Sequence, residues 1–252
     1  MISLHTLLET LDGWMRPGDF QDYAPNGLQV EGRQEITRLA LGVTASADVI
    51  DQAVAWNADA LLVHHGYFWR NEPITLTGMK GARVRRLMQH NLSLLAYHLP
   101  LDCHPEFGNN IALLQHLGWT DCEALAGEAG LMWVAHFAEP MTPSEVSAHL
   151  AHALNRAPLC VESALGPKQI ERLVVCTGGA QDYLVRAHRV GADAYLSGEI
   201  SERTTHEARE LGVHYFAAGH HATERYGVQA LGQKIANQWP LEVAFFDDHN
   251  PA

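Results

Sequence analysis

"ITRLALGVTASADVIDQAVAWNADALLVHHG" (36–66) aligns without a gap to "IERLVVCTGGAQDYLVRAHRVGADAYLSGEI" (170–200), at a constant offset of 134 residues. Identities include Ile36/Ile170, Arg38/Arg172, Leu39/Leu173, Asp48/Asp182, Ala53/Ala187 and Leu62/Leu196, and Ala58-Asp59-Ala60 matches Ala192-Asp193-Ala194. Within the first copy, "RLALGV" (38–43) reads as a buried strand. "SADVIDQAVAWNA" (46–58) reads as a helix, with Val49, Ala53 and Trp56 near helical spacing and Ser46 or Asp48 as cap. "ALLVHH" (60–65) is the next strand. Each copy is therefore a strand–helix–strand unit, and the chain carries two of them.

Working outward from the first copy, "MKGARVRRLMQHN" (79–91) reads as a basic helix and "LSLLAYH" (92–98) as another strand. The first half then reaches "AYHLPLD" (96–102) and the second "AGHHATE" (218–224), so that His98 falls on His220 and Asp102 on Glu224. Alternation of strands and helices predicts α/β architecture with a mainly parallel sheet, here as two pseudo-symmetric lobes. Between them "GLMWVAHF" (130–137) reads as a strand. "MTPSEVSAHLAHALN" (141–155) reads as a helix with Thr142 as N-cap, Pro143 at the first helical position and Glu145 closing a capping box. The small, loop-like "ALAGEAG" (124–130) places a boundary near 125, giving a first lobe over 1–125, joined by 225–252, and a second over 126–224.

The bulk properties narrow the function. At 252 residues with 47% hydrophobic content the chain can bury a large core. No apolar run approaches the roughly 20 residues of a membrane span. The N-terminus has no basic segment and carries Glu9 and Asp12, so it does not read as a signal peptide, and a cytoplasmic location follows as the default. The four cysteines form no Cys-x-x-Cys pair, which argues against a zinc ribbon, a redox motif or a disulfide framework. A net charge of −12 argues against a general grip on nucleic acid. A small anionic substrate stays open if the site itself supplies positive charge.

The chain also holds 16 histidines, and several fall where parallel α/β sheets bind ligands, outside the carboxyl ends of strands. His64 and His65 end one strand, His98 and Asp102 follow another, and His220 and Glu224 follow a third. Imidazole and carboxylate suit zinc, iron, manganese or nickel. If "HHATERYGVQALGQKIA" (220–236) is one helix, either His220 or His221 shares a face with Glu224. Adjacent strand residues point to opposite faces, so His64 and His65 both bind metal only if the chain turns, which Gly66 allows, and then more naturally as ligands of two ions. Asp102 and Glu224 have the second oxygen needed to bridge such a pair. Tyr67-Phe68-Trp69 reads as core or subunit interface, and "TGG" (177–179), which lacks the Lys-Ser/Thr of a P-loop, as a tight turn. His149, His152, His188 and His206 fall on helices and read as solvated.

The set "YAPNGLQVEG" (23–32), "LLVHHGYFW" (61–69), "YHLPLD" with "GNN" (97–102, 108–110), "GADAYLSGEI" (191–200) and "AAGHHATERYG" (217–227) resembles the GTP cyclohydrolase 1 type 2 homologues, also called the NIF-three-like family. The resemblance spans nearly the whole chain. It implies a two-lobed α/β protein in a homohexameric ring. It also implies two divalent metal ions per chain at the strand carboxyl ends between the lobes, held by His64, His65, Asp102, His220 and Glu224. His98 matches a histidine beside the site, with a supporting or proton-handling role. The "HLPLD" segment departs from a Thr-Asn that many members carry before the Asp, which alters the pocket wall and leaves the ligand. The family name implies metal-dependent hydrolysis of a nucleotide or related phosphorylated small molecule, by opening of a guanine imidazole ring with release of formate. The alternative is a ring-shaped metal-binding regulatory or scaffold protein without turnover.

Overall fold

A computed structural model describes all residues, 1–252, and divides them into two compact units. One comprises Met1–Gly108 with Val228–His249, and the other Asn109–Gly227 with Asn250–Ala252. The break thus falls between Gly108 and Asn109, earlier than the loop-like stretch near 125, and the chain returns to the first unit at Val228. The reason is packing. Ile111, Leu113, Leu114, Leu117 and Trp119 all join a core cluster of the second unit.

The first unit begins with β1 (Ile2–Ser3) and α1 (Leu4–Met15), then β2 (Gly27–Val30) and β3 (Glu35–Ile36). Its repeat copy is β4 (Arg38–Thr44), α2 (Ala47–Ala55) and β5 (Ala60–His65), continued by α3 (Gly78–Gln89), β6 (Ser93–Ala96) and the short α4 (Leu99–Cys103). The second unit opens with α5 (Asn109–His116), β7 (Cys122–Ala124), β8 (Trp133–Met141), α6 (Pro143–Leu154) and β9 (Leu159–Val161). Its repeat copy is β10 (Ile170–Val175), α7 (Leu184–Arg189), β11 (Ala194–Ser197), α8 (Glu202–Leu211) and β12 (His214–Ala217), followed by α9 (His220–Thr223). Helix α10 (Arg225–Gln238) and β13 (Glu242–Phe245) close the chain.

The sheets share one plan. The first has the order β13-β4-β5-β6-β2 and the second β7-β8-β10-β11-β12-β9. Strands β4, β5 and β6 are parallel, as are β10, β11 and β12, and each trio is flanked beyond its third strand by an antiparallel partner, β2 or β9. They differ at the other edge, where β13 runs parallel to β4 but β8 runs antiparallel to β10. Both faces of each sheet are buried, which is why the strands read as continuous apolar runs. In β5, Ala60 and Leu62 enter one cluster while Leu61 and Val63 enter another. In β10, Leu173 and Val175 face one way and Val174 the other.

The repeat extends to a single carboxylate in each half. Asp59 Oδ2 accepts the backbone N–H of Thr37 (2.8 Å) and of Arg38 (2.9 Å). Asp193 Oδ2 accepts those of Glu171 (3.0 Å) and Arg172 (2.9 Å), the residues at the same offset. Each Asp thereby ties the start of one parallel strand to the start of the next. The predicted caps form as well: Ser46 accepts from Val49 N–H, and Thr142 and Glu145 make the reciprocal capping box. No helix is long and apolar enough to cross a membrane.

Candidate metal centre

In the first unit, β5 delivers its last two residues to the carboxyl edge of the sheet. His64 is fully buried and its Nδ1 lies 3.0 Å from the carbonyl oxygen of Tyr97. A carbonyl only accepts, so Nδ1 carries the proton and Nε2 is the ring nitrogen that could hold a metal. That Nε2 faces Asp102 Oδ1 at 3.4 Å. A lone pair set against a carboxylate oxygen needs a positive centre between them, either a proton or a metal ion. His65 sets its Nδ1 3.1 Å from Thr44 Oγ1, and the His64 and His65 ring centroids are 4.4 Å apart. Both imidazoles therefore reach one place although they are neighbours in the chain. Gly66 contributes by close packing, not by a left-handed turn: it is absent from the positive-φ residues, and a Cβ there would strike the side chains of Gln29 and Ala96.

His98 completes a trio with His64 and His65, each offering a ring nitrogen within 4.8 Å of the others. It is held by a residue that sequence reasoning passed over. Asp22 Oδ1 accepts from His98 Nδ1 at 2.7 Å and from Tyr23 N–H at 2.6 Å; its Oδ2 accepts from Leu99 N–H and Asn26 Nδ2, both at 2.9 Å. Burial alone would raise the pKa of Asp22. The bonds and charge of His98, with Asn26 and Leu99, outweigh it and hold the carboxyl at about 2. Asp22 is thus an acceptor only, and His98 presents Nε2 outward. Trp69 stands edge-on to His98 at 4.9 Å and 5.9 Å from His65, so it walls the imidazoles. Of the aromatic run, Tyr67 is core, its hydroxyl donating to the Ala45 carbonyl.

The second unit builds a complementary set. His220 Nε2 lies 3.1 Å from Glu224 Oε2, and its Nδ1 lies 2.6 Å from Glu199 Oε1. His220 is thus a partner of Glu224. The expected single helix is instead two, because Glu224 is the C-cap of α9 and α10 starts at Arg225. Desolvation would lower the His220 pKa, but the carboxylates of Glu224 and Glu199 on either side raise it to about 9. This imidazole therefore holds two protons at neutral pH, and a metal ion held by His220 would have to displace one of them. "TGG" is indeed a turn, but it is also the floor of this set. Gly178 has φ +70°, and a Cβ there would run into the Glu224 carboxylate and lie 3.2 Å from His220 Nε2.

The strand registers refine the alignment of the halves. Ala60 pairs Ser93 and Ala194 pairs His214, so Ala96 matches Ala217 and His98 matches Gly219, one residue short of His220. His64-His65 correspond to Gly198-Glu199. Gly198 admits no side chain, since its Cβ would lie 2.6 Å from His220 Cα and 2.7 Å from the Gly178 carbonyl oxygen. Among the helical histidines, His152, His188 and His206 are exposed. His149 is not solvated; it is half-buried, stacked on Trp119, with Nε2 2.7 Å from the Leu117 carbonyl oxygen.

These donor sets fit divalent metal: buried and half-buried imidazoles with one nitrogen fixed by a carbonyl, hydroxyl or carboxylate, beside carboxylate oxygens. Comparison with known proteins agrees with the residue pattern. A family model described as Duf34/NIF3 (NGG1p interacting factor 3) matches residues 2–251. The chain belongs to the Duf34/NIF3 family. It is 52% identical to a protein of Allochromatium vinosum named GTP cyclohydrolase 1 type 2 homolog, over 100% of this chain and 98% of that one. A Vibrio cholerae protein of the same name is 50% identical over 96% of each. Among solved structures, protein ybgI, described as of unknown function, has a TM-score of 0.94 at 40% identity and full coverage of both chains. The protein TTHA1606 of Thermus thermophilus has a TM-score of 0.89 at 30% identity, again with full coverage of both. The Duf34/NIF3 fold is therefore the fold of this chain.

Proposed function

We propose that this protein is a metal-dependent hydrolase acting on a nucleotide or related phosphorylated small molecule. In this reading His64, His65 and Asp102 of the first unit and His220 and Glu224 of the second together hold two divalent ions. The observation that carries it is the buried His64, whose Nδ1 is committed to a backbone carbonyl while its Nε2 confronts Asp102. The names of the relatives support a guanine nucleotide as substrate, with water opening the imidazole ring and formate leaving. Bound there, the ions supply a water acidified to near-neutral pKa and positive charge for a developing oxyanion. The chain itself supplies proton handling and exclusion of water. His98, its Nδ1 proton anchored on Asp22, takes a proton at Nε2 and returns it to the leaving group. Trp69 shields the imidazoles from bulk solvent. The family resemblance further supports a homohexameric ring in the cytoplasm.

The test is elemental mass spectrometry on untagged protein purified without chelator or nickel resin, run beside nucleotide hydrolysis assays. About two ions per chain are expected, with fewer in His64→Ala and Glu224→Ala, and formate release only from the loaded parent. An active, metal-free Glu224→Ala protein would overturn the reading. Full metal content with no turnover of any nucleotide would replace it with the regulatory or scaffold alternative.

A further inference from the structure

The two units dress the same strand-end position in opposite ways. In the first, position 98 carries an imidazole, and the segment entering β2 supplies the carboxylate of Asp22 that holds it. In the second, the equivalent position is Gly219, which has no side chain and a φ of +101°. The segment entering β9 supplies Arg156 there instead. Its guanidinium lies on the bare backbone, so that a Cβ added to Gly219 would stand 2.9 Å from both Cζ and Nε and 3.0 Å from Nη1. The strand pairings make the two segments correspond: Gly27 pairs Ala96 as Leu159 pairs Ala217.

Arg156 is half-buried and makes no ion pair or side-chain hydrogen bond within the chain. Two other arginines of this unit are paired, Arg186 with Glu128 and Arg203 with Asp182. The chain has a net charge of −12, and two carboxylates, Glu199 and Glu224, flank His220, the residue after Gly219. Both are committed to the imidazole. A partly desolvated guanidinium with its fork unused, beside a ligand set, is a receptor for an oxyanion, which it binds with two parallel N–H donors.

We propose that Arg156 binds a phosphate group of the substrate and so sets it against the His220–Glu224 set. Gly219 leaves room for the guanidinium that a side chain would displace, at a φ of +101° that itself favours glycine. The identity of the anion as a substrate phosphate rests on the hydrolase reading above; the anion site itself does not.

The experiment is calorimetric titration of full-length protein with inorganic pyrophosphate, in metal-depleted and manganese-loaded forms, for the parent, Arg156→Ala and Arg156→Lys. Metal content and circular dichroism are measured on each. Arg156→Ala is expected to weaken binding at least tenfold in both forms with metal content unchanged. Arg156→Lys, which keeps the charge and loses the fork, is expected to fall between. Succinate is expected to bind the parent more weakly than pyrophosphate. Pyrophosphate affinity in Arg156→Ala within twofold of the parent, or no binding by the metal-depleted parent, would overturn the proposal, and equal affinity for succinate would overturn its phosphate assignment. A parent that takes up no metal but loses pyrophosphate on Arg156→Ala would overturn the hydrolase reading and uphold the anion site.

Discussion

At the scale of single residues, the site depends on carboxylates that bind no metal in the proposed scheme. Asp22 fixes the proton of His98 on Nδ1, and Glu199 does the same for His220. Asp22→Asn removes the charge while keeping the shape. It is expected to lower turnover about 10- to 100-fold with metal content retained, measured by formate release beside elemental analysis. Gly178 is a second point of leverage. In Gly178→Ala the new methyl strikes Glu224, and the left-handed backbone costs about 1–2 kcal/mol. Urea unfolding should show that loss, and metal content should fall with it. The histidines that end strands were legible in the sequence because adjacent imidazoles at an apolar strand end are conspicuous. Asp22, Glu199 and Trp69 were not. Asp22 lies 76 residues from His98, and a lone carboxylate in a loop has no periodicity to betray it.

At the scale of elements, the repeat is built on Asp59 and Asp193. Burial would raise the pKa of Asp59. The N–H groups of Arg38 and Thr37 and the guanidinium of Arg33 outweigh that and lower it below its ordinary 3.8. A depressed folded pKa means the stabilisation is fully present above the unfolded value and is lost as pH falls through the lower, folded one. Asp59→Ala strands two N–H donors and should cost about 2–3 kcal/mol at pH 7. The gap between parent and variant should hold down to about pH 4 and narrow only in stronger acid, followed by denaturant unfolding across that range. Asp193→Ala likewise strands two N–H donors and should cost less, since its carboxylate has no arginine partner. The parallel strands were readable because burial on both faces leaves an uninterrupted apolar run. Strands β2, β9 and β13 escaped: at four, three and four residues they are too short for an alternation to register. The break at Glu224 escaped because helical spacing continues across it.

At the scale of the whole molecule, each unit owns part of the proposed ligand set, so metal should stabilise the folded chain by linkage. At free metal 100-fold above its dissociation constant the gain is about 2.7 kcal/mol. Stripping the ions from the parent is expected to lower Tm by about 5–10 °C, while chelator should leave the Tm of a metal-free His64→Ala, Glu224→Ala double variant unchanged. Scanning calorimetry reads both. The division into two units was visible in the gapless repeat. The division between Gly108 and Asn109 was not, because helix α5 carries no signal saying which sheet it covers; only the burial of Leu113 and Leu114 in the second core shows that.

One consequence concerns descent. Where the first half carries His64 the second carries Gly198, and His220 is backed directly onto that glycine's backbone. A duplicated ancestor with a histidine at this position could not have seated His220 as it now sits. With His220 in that space, any single substitution that adds a side chain at 198 is sterically closed. Division of labour between the halves then works as a ratchet at this position: the second half cannot take on the role of His64 by one substitution.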